Sequence, residues 1–344
     1  MTTRTVRVLI ASALEPALID RVRAVDPRVA VVYRADLLGR PRYPGDHTAP
    51  TTRTPAQAAE WTALVAEAEV MFDVDRPTVA DLPRQAPRLR WVQLSSSGVG
   101  QLVDRMRLGN SPIIVTNAAG VHATPLAEFV LFAMLYFAKR MPRVLADQRR
   151  RHWERFALDT LPGKTLGIVG LGQVGRAVAR LARGAGLRIV AVRRTAETSS
   201  DAPDVDAVYP PAGLRRLLAE SDYVVLIVPF TAETTGLLGE AELALMKPGA
   251  VLINVARGQL VDEPALIRAL RSGHLGGAAL DVFAHEPLAA DSPLWDLPNV
   301  LVTPHSMSTA HGENDALIDL FCDNLRRYLT GVPLRNVFDR ARGY

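Results

Sequence analysis

Three glycines, at 170, 172 and 175, and a pair of arginines, at 193 and 194, are the residues whose types and spacing point most directly to chemistry. The glycines spell G-x-G-x-x-G between an apolar run, LGIVG, and a segment with Val174, Val178 and Leu181 at helical spacing. In a strand–turn–helix setting each has a task. Gly170 permits the tight turn, Gly172 lets the main chain approach a pyrophosphate, and Gly175 lets helix and strand pack closely. Leu171, Gln173 and Val174 complete the turn, and the helix it opens offers free N–H groups and the positive end of a dipole to phosphate. An acidic residue for the ribose hydroxyls belongs about 20 residues further on, at the end of the next strand. RIVAV delivers Arg193 there instead. A carboxylate repels a ribose 2′-phosphate, whereas Arg193, with Arg194 and the Thr195 hydroxyl beside it, takes one through charge-assisted hydrogen bonds. The expected cofactor is NADP(H), with NAD(H) as the alternative.

Three later segments also follow strand-like runs, where ligands bind in open parallel sheets. INVARGQLVDEPAL carries Arg257, GGAALDVFAHEPL carries Asp281 and Glu286, and NVLVTPHSMS carries His305. With VPFTAETTGLL at 228–238 and SSSGVG at 95–100, these motifs make the chain resemble the D-isomer-specific 2-hydroxyacid dehydrogenase family. The resemblance spans most of the chain and is densest from 162 to 306. It implies an oxidoreductase of the NADP-preferring glyoxylate/hydroxypyruvate reductase kind, moving a hydride between the nicotinamide and C2 of a 2-oxo acid or D-2-hydroxy acid. It implies Arg257 on the substrate carboxylate, His305 as acid/base and Glu286 orienting the imidazole. The residue types suit those roles. A guanidinium grips a carboxylate and polarises the adjacent carbonyl, and an imidazole beside a carboxylate is held in one orientation with its protonated form favoured. The amides of Ser97, Gly98 and Val99 are implied as a second carboxylate anchor. Val228, Pro229, Thr234, Val255, Ala256, Asp281 and Ser306 are implied as dinucleotide contacts, Asp281 through the nicotinamide amide. Ser306-Met307-Ser308 departs from the family, in which an apolar residue and then small ones often follow the histidine. The departure touches the pocket beside the nicotinamide and leaves the proton relay intact.

The elements that must position these residues are legible in outline. VRVLIA, VAVVYR, VMFDV and RWVQLSSS read as strands alternating with helices at PALIDRVRAV and near 55–67, the latter opened by Thr54, Pro55 and Gln57 as a capping box. Such alternation predicts a parallel sheet covered on both faces. A long apolar helix capped by Thr124-Pro125 runs to 139. LGIVG, RIVAV, YVVLIV, AVLINV, AALDV and VLVTP then give six strands, the count of a complete dinucleotide sheet. The last segment, GENDALIDLFCDNLRRYLTG, is one amphipathic helix expected to return to the first domain. The predicted fold is α/β, with two doubly wound parallel-sheet domains. Residues 1–118 and 309–344 form a flavodoxin-like substrate-binding domain, 119–308 a Rossmann dinucleotide-binding domain, and the resemblance places the active site between them.

Composition bounds the rest. The 344 residues are 48% hydrophobic and 22% charged, the profile of a globular chain long enough for two cores. A net charge of +4 without a basic stripe argues against nucleic-acid binding. The apolar run at 129–138 is half a membrane span, and the amino terminus, broken by Glu15 and Pro16, does not read as a signal peptide. A single cysteine, Cys322, permits no intrachain disulfide and fits the cytoplasm. No histidine–cysteine pattern suggests a metal; His47, His122, His152, His274 and His311 read as structural. The resemblance and the apolar 123–139 helix suggest a homodimer acting on a small molecule. Two rivals stand beside this reading: an NAD-dependent dehydrogenase of a phosphorylated hydroxyacid, and a dinucleotide-sensing co-repressor-like module. The absence of a regulatory domain after 330 weighs against the first in a feedback-controlled role.

Overall fold

The computed structural model describes residues 4–76, 78–194 and 202–344, which fall into two compact units, Met1–His122 with Thr309–Tyr344, and Ala123–Ser308. Each unit is a parallel sheet with helices on both faces.

In the first unit the order is β1 (Val6–Ile10), α1 (Pro16–Arg23), β2 (Val29–Val32), α2 (Pro55–Glu67), β3 (Val70–Phe72), α3 (Leu82–Gln85), β4 (Trp91–Gln93), α4 (Gly100–Arg105) and β5 (Ile114–Thr116). The sheet runs β2-β1-β3-β4-β5, all parallel, which is the flavodoxin-like order. α2 starts where its sequence says it should. Thr54 Oγ1 accepts from the Gln57 amide at 3.3 Å and the Gln57 side chain accepts from the Thr54 amide at 3.0 Å, closing the capping box. β5 is a strand that the sequence reading omits.

The second unit opens with α5 (Ala123–Ala138) and α6 (Met141–Arg150). It continues as β6 (Thr165–Val169), α7 (Gln173–Gly184), β7 (Arg188–Val192), β8 (Ala207–Tyr209), α8 (Leu214–Glu220), β9 (Tyr223–Leu226), α9 (Glu240–Leu245), β10 (Val251–Asn254), α10 (Glu263–Arg271), β11 (Gly277–Leu280) and β12 (Val300–Val302). Two expectations need correction. Thr124 does not cap α5; it is the helix's second residue. The sheet has seven strands among the described residues, not six, in the order β12-β11-β10-β9-β6-β7-β8. The missed strand, β8, pairs with β7 at the edge of the sheet, and its three residues are half-buried.

α11 (Glu313–Thr330) belongs to the first unit. Its Leu317, Phe321 and Leu325 are buried, and the Phe321 ring stacks on Trp91 at 5.1 Å and meets Phe72 edge-on at 5.3 Å. Burying one such ring is worth roughly 1.5–3 kcal/mol, so the apolar stripe of α11 decides where the helix packs. Cys322 is a buried free thiol whose pKa is raised by burial. Among the described residues no helix is long and apolar enough to cross a membrane.

Candidate active site

Because every strand of the second sheet is parallel, the segments that follow its strands all emerge at one end of the sheet. Six candidate segments do so: the glycine turn after β6, Arg193 and Arg194 after β7, Val228–Thr234 after β9, Val255–Arg257 after β10, Asp281–Glu286 after β11 and His305–Ser306 after β12.

The glycine turn is built by sterics. Gly170 has φ +109°, and a Cβ there would lie 2.8 Å from the Ile227 carbonyl. A Cβ on Gly175 would lie 2.2 Å from the Gly170 oxygen, so helix and turn touch main chain to main chain. Gly172 differs: a Cβ there would meet nothing within 4 Å. It is the N-cap of α7 and supplies no side-chain cap, which leaves the first helical N–H groups to be satisfied from outside. Open space in front of uncapped amides is what a pyrophosphate requires. Arg193 is half-buried and its amide donates to the Tyr209 carbonyl at 3.0 Å, while Arg194 is exposed. Thr195 lies outside the described residues. Thr234 is spent on its own loop, its hydroxyl donating to the Pro229 carbonyl at 2.8 Å and accepting from the Thr231 amide at 2.8 Å.

His305 and Glu286 form a pair, Nδ1 to Oε2, at 2.7 Å. The other Glu286 oxygen accepts from the Phe283 amide at 3.0 Å. Burial pushes the Glu286 pKa up, but the bond from His305, the Phe283 amide and the charges of His305 and Arg257 outweigh it, and the net shift is downward. An ionised Glu286 can only accept, so His305 Nδ1 carries the hydrogen of this bond and Nε2 is left for chemistry. Arg257 is close enough to bias Glu286, and its Nη1 donates to the Ala256 carbonyl at 2.6 Å. Its loop is fixed from two sides. Asn254 accepts from the Ala256 amide at 3.1 Å and donates to the Arg257 carbonyl at 3.0 Å. Gly258 lies against Phe283, where a Cβ would come within 1.8 Å of the carbonyl carbon.

His305 has φ +52°, a left-handed conformation that costs a non-glycine residue roughly 1–2 kcal/mol. Asp281 holds it there. Its carboxylate, 1% exposed, accepts from the Thr303 hydroxyl at 2.8 Å, the Ser306 amide at 3.0 Å and the Met307 amide at 3.3 Å. Burial dominates these bonds and leaves its pKa raised. The Ser306 hydroxyl turns back to the Pro304 carbonyl at 3.1 Å.

Ser97, Gly98 and Val99 follow β4 of the first unit; Gly98 is exposed, Val99 is buried as the N-cap of α4, and Ser97 donates to the Ala118 carbonyl at 3.0 Å. Sequence reasoning missed what holds this loop. His122 Nδ1 lies 3.2 Å from Ser97 Oγ and its Nε2 lies 3.0 Å from Glu313. Arg76 donates to Ser95 and Ser96 at 2.8 and 2.9 Å, and Ser95 donates to the buried Asp73. No local pattern could have found Glu313, which stands 191 positions from His122. Asn254 was equally hidden, being read only as part of a strand.

Residues 131–306 match the family described as "D-isomer specific 2-hydroxyacid dehydrogenase, NAD binding domain". The chain is 40% identical over 258 residues to a glyoxylate reductase of Thermococcus gammatolerans, covering 72% of this chain and 76% of that one. Among solved structures it resembles a D-isomer specific 2-hydroxyacid dehydrogenase of Xanthobacter autotrophicus in complex with NADPH and MES. The TM-score is 0.80 and the identity 31%, over 99% of this chain and 100% of that one. It also resembles an NADPH-dependent glyoxylate/hydroxypyruvate reductase of Sinorhizobium meliloti in complex with NADP and sulfate. There the TM-score is 0.81 and the identity 25%, with the same coverage.

Proposed function

The chain belongs to the D-isomer-specific 2-hydroxyacid dehydrogenase family and is an NAD(P)-dependent oxidoreductase, and from that premise we propose that it reduces a small 2-oxo acid, glyoxylate or hydroxypyruvate, with NADPH. The observation that carries this reading is the 2.7 Å His305–Glu286 pair, with Arg257 beside it, at the same carboxyl end of the sheet as the glycine turn. A bound nicotinamide dinucleotide would supply the hydride to C2. Arg257 holds the substrate carboxylate and draws electron density from the neighbouring carbonyl. His305 Nε2 delivers the proton that the developing alkoxide needs, a role worth roughly 10²–10⁴-fold. Glu286 accepts from Nδ1 and so keeps the imidazole in one orientation, with Nε2 left for the substrate. The open approach at Gly172 and the uncapped start of α7 fit a pyrophosphate, and Arg193 at the end of β7 suits a 2′-phosphate in place of free ribose hydroxyls.

On the resemblance, 1–118 with 309–344 is the substrate-binding domain, Ser97–Val99 its carboxylate anchor, and 119–308 the dinucleotide-binding domain. A homodimer is supported by α5, which exposes Phe132 (51%) and Leu135 (38%) on one helix. A cytoplasmic location is supported by the single thiol, which is free.

The test is loss of reduced-nicotinamide absorbance over glyoxylate, hydroxypyruvate, pyruvate, phenylpyruvate and branched 2-oxo acids, with NADPH and NADH in parallel. Turnover of glyoxylate or hydroxypyruvate, faster with NADPH, is expected and should vanish in His305→Ala while dinucleotide binding persists. Binding of NADPH without turnover of any of these acids would refute the proposal.

A further inference from the structure

Every residue assigned above in the second unit lies past the carboxyl ends of its strands. A separate cavity of about 330 Å³ lies at the other end of the same sheet, where β6, β9, β10 and β11 begin. The five residues of β6 set the two ends about 16 Å apart. Gly249 and Gly276 put no side chain into the cavity, and its apolar wall is Phe137, at the end of α5, with Pro248.

Besides Asp222, four polar side chains line this space: the Lys164 ammonium, the Arg140 guanidinium, the Asp159 carboxylate and the Tyr223 hydroxyl. Among the described residues none of the four side chains has a hydrogen-bond or ion-pair partner. Asp159 is held in place by its main chain, its amide donating to the Ala138 carbonyl at 3.1 Å and its carbonyl accepting from Lys139 Nζ at 2.9 Å. Asp222, also in the lining, is already committed to the Thr165 amide at 2.8 Å and to Lys247 at 3.2 Å. Burial, with the negative charges of Asp159 and Asp222, pushes the Tyr223 hydroxyl up to about 12, so at neutral pH it is a donor. The uncommitted set is therefore two cations, one phenolic donor and one carboxylate beside an apolar wall. A plain anion meets Asp159, and a plain amine meets two cations.

We propose that this cavity is a second ligand site, for a small apolar α-amino acid, with its carboxylate toward Lys164 and Arg140, its ammonium toward Asp159 and its side chain against Phe137 and Pro248. Its volume falls in the range of small-ligand pockets, about 300–1,000 Å³. The zwitterion is the one small chemistry that answers both signs of charge, and no residue of the reduction site takes part.

Isothermal titration of the full chain with L-leucine, L-methionine and L-phenylalanine in turn tests this, alongside isovalerate and isoamylamine as the acid and amine halves of leucine. Saturable binding with Kd of about 1 mM or tighter is expected for at least one amino acid. The halves, and the same amino acid with Lys164→Ala or Asp159→Asn, should bind at least about tenfold more weakly, a difference of ~1.4 kcal/mol. Thermal unfolding checks that both variants fold, and saturating NADPH should leave the titration unchanged. No saturable binding of any of the three, equal binding by isovalerate, undiminished binding in both variants, or displacement by NADPH would overturn the proposal. Each outcome is read independently of whether a 2-oxo acid is reduced.

Discussion

Asp281 offers the most discriminating perturbation, because the structure and the family resemblance give its carboxylate different tasks. In the structure it braces the turn that carries His305 in its left-handed conformation, accepting from the Thr303 hydroxyl and the Ser306 and Met307 amides. Asp281→Ala removes all three acceptor contacts. Thr303 has the Leu280 carbonyl at 3.4 Å as a fallback, so two amides are stranded, at roughly 1–3 kcal/mol each. That loss, ~2–4 kcal/mol after partial rehydration, exceeds the roughly 1–2 kcal/mol of left-handed strain it restrains, so the turn relaxes and His305 moves. A displacement of about 1 Å at an acid/base group costs about 10²-fold in rate. Asp281→Asn keeps the oxygen facing Thr303 and Ser306 and sheds the burial penalty on the charge, so most activity should survive. The assay is kcat/KM for glyoxylate with NADPH, with urea unfolding on the same samples. Because burial raises the Asp281 pKa, the wild type is relatively most stable below the ordinary value of 3.8 and loses that advantage as pH rises through the folded value. The stability of Asp281→Asn relative to wild type should therefore increase from pH 4 to pH 7. Equal losses of activity in Asn and Ala variants would refute the bracing argument and favour a charge-dependent contact to the nicotinamide.

Glu286→Gln should lower kcat by at least about tenfold, since an amide that can donate as well as accept no longer fixes the hydrogen on His305 Nδ1. The Glu286 pKa is depressed, so its contribution is complete above the ordinary 4.5 and lost as pH falls through the folded value; the variant's stability should lack that acid limb. Gly170→Ala, forced to φ +109° against the Ile227 carbonyl, should destabilise the chain by ~2 kcal/mol or more in urea, whereas Gly172→Ala, facing open space, should unfold within ~0.5 kcal/mol of wild type. The latter should still weaken NADPH binding about tenfold or more, and an unchanged NADPH Kd would remove Gly172 from the pyrophosphate site. Arg193→Asp should cost NADPH affinity roughly 10–100-fold more than NADH affinity, as loss of a charge-assisted pair predicts; equal losses would make the arginine a bystander. Thr54→Ala should cost ~1 kcal/mol of unfolding free energy through the capping box, and a neutral result would show that Gln57 alone suffices.

Several parts of this molecule were legible as letters because their causes are local. A G-x-G-x-x-G turn is dictated by positions that exclude a Cβ, and Gly170 and Gly175 are such positions. The Thr54–Gln57 box needs only two residues three apart. The long strands of the second sheet are apolar runs, because each is buried on both faces. β5 and β8 were passed over although β3, β4 and β12 are as short, and Thr124 looked like a cap only because Pro125 follows it.

The sequence by itself determined the two parallel-sheet domains, the dinucleotide turn and the residue types that belong at the ends of the strands, since each follows from spacing, sterics or burial within one element. Tertiary structure decided how the groups meet, including the Glu286–His305 pair that the family resemblance implied. Glu286 reaches His305 across 19 positions, Asp281 reaches the Thr303–Met307 turn, and Glu313 on α11 reaches His122 beneath the Ser97 loop. Those pairings depend on strand order and on where a carboxyl-terminal helix packs. Both are settled by the summed burial of apolar faces, which no short stretch of sequence encodes.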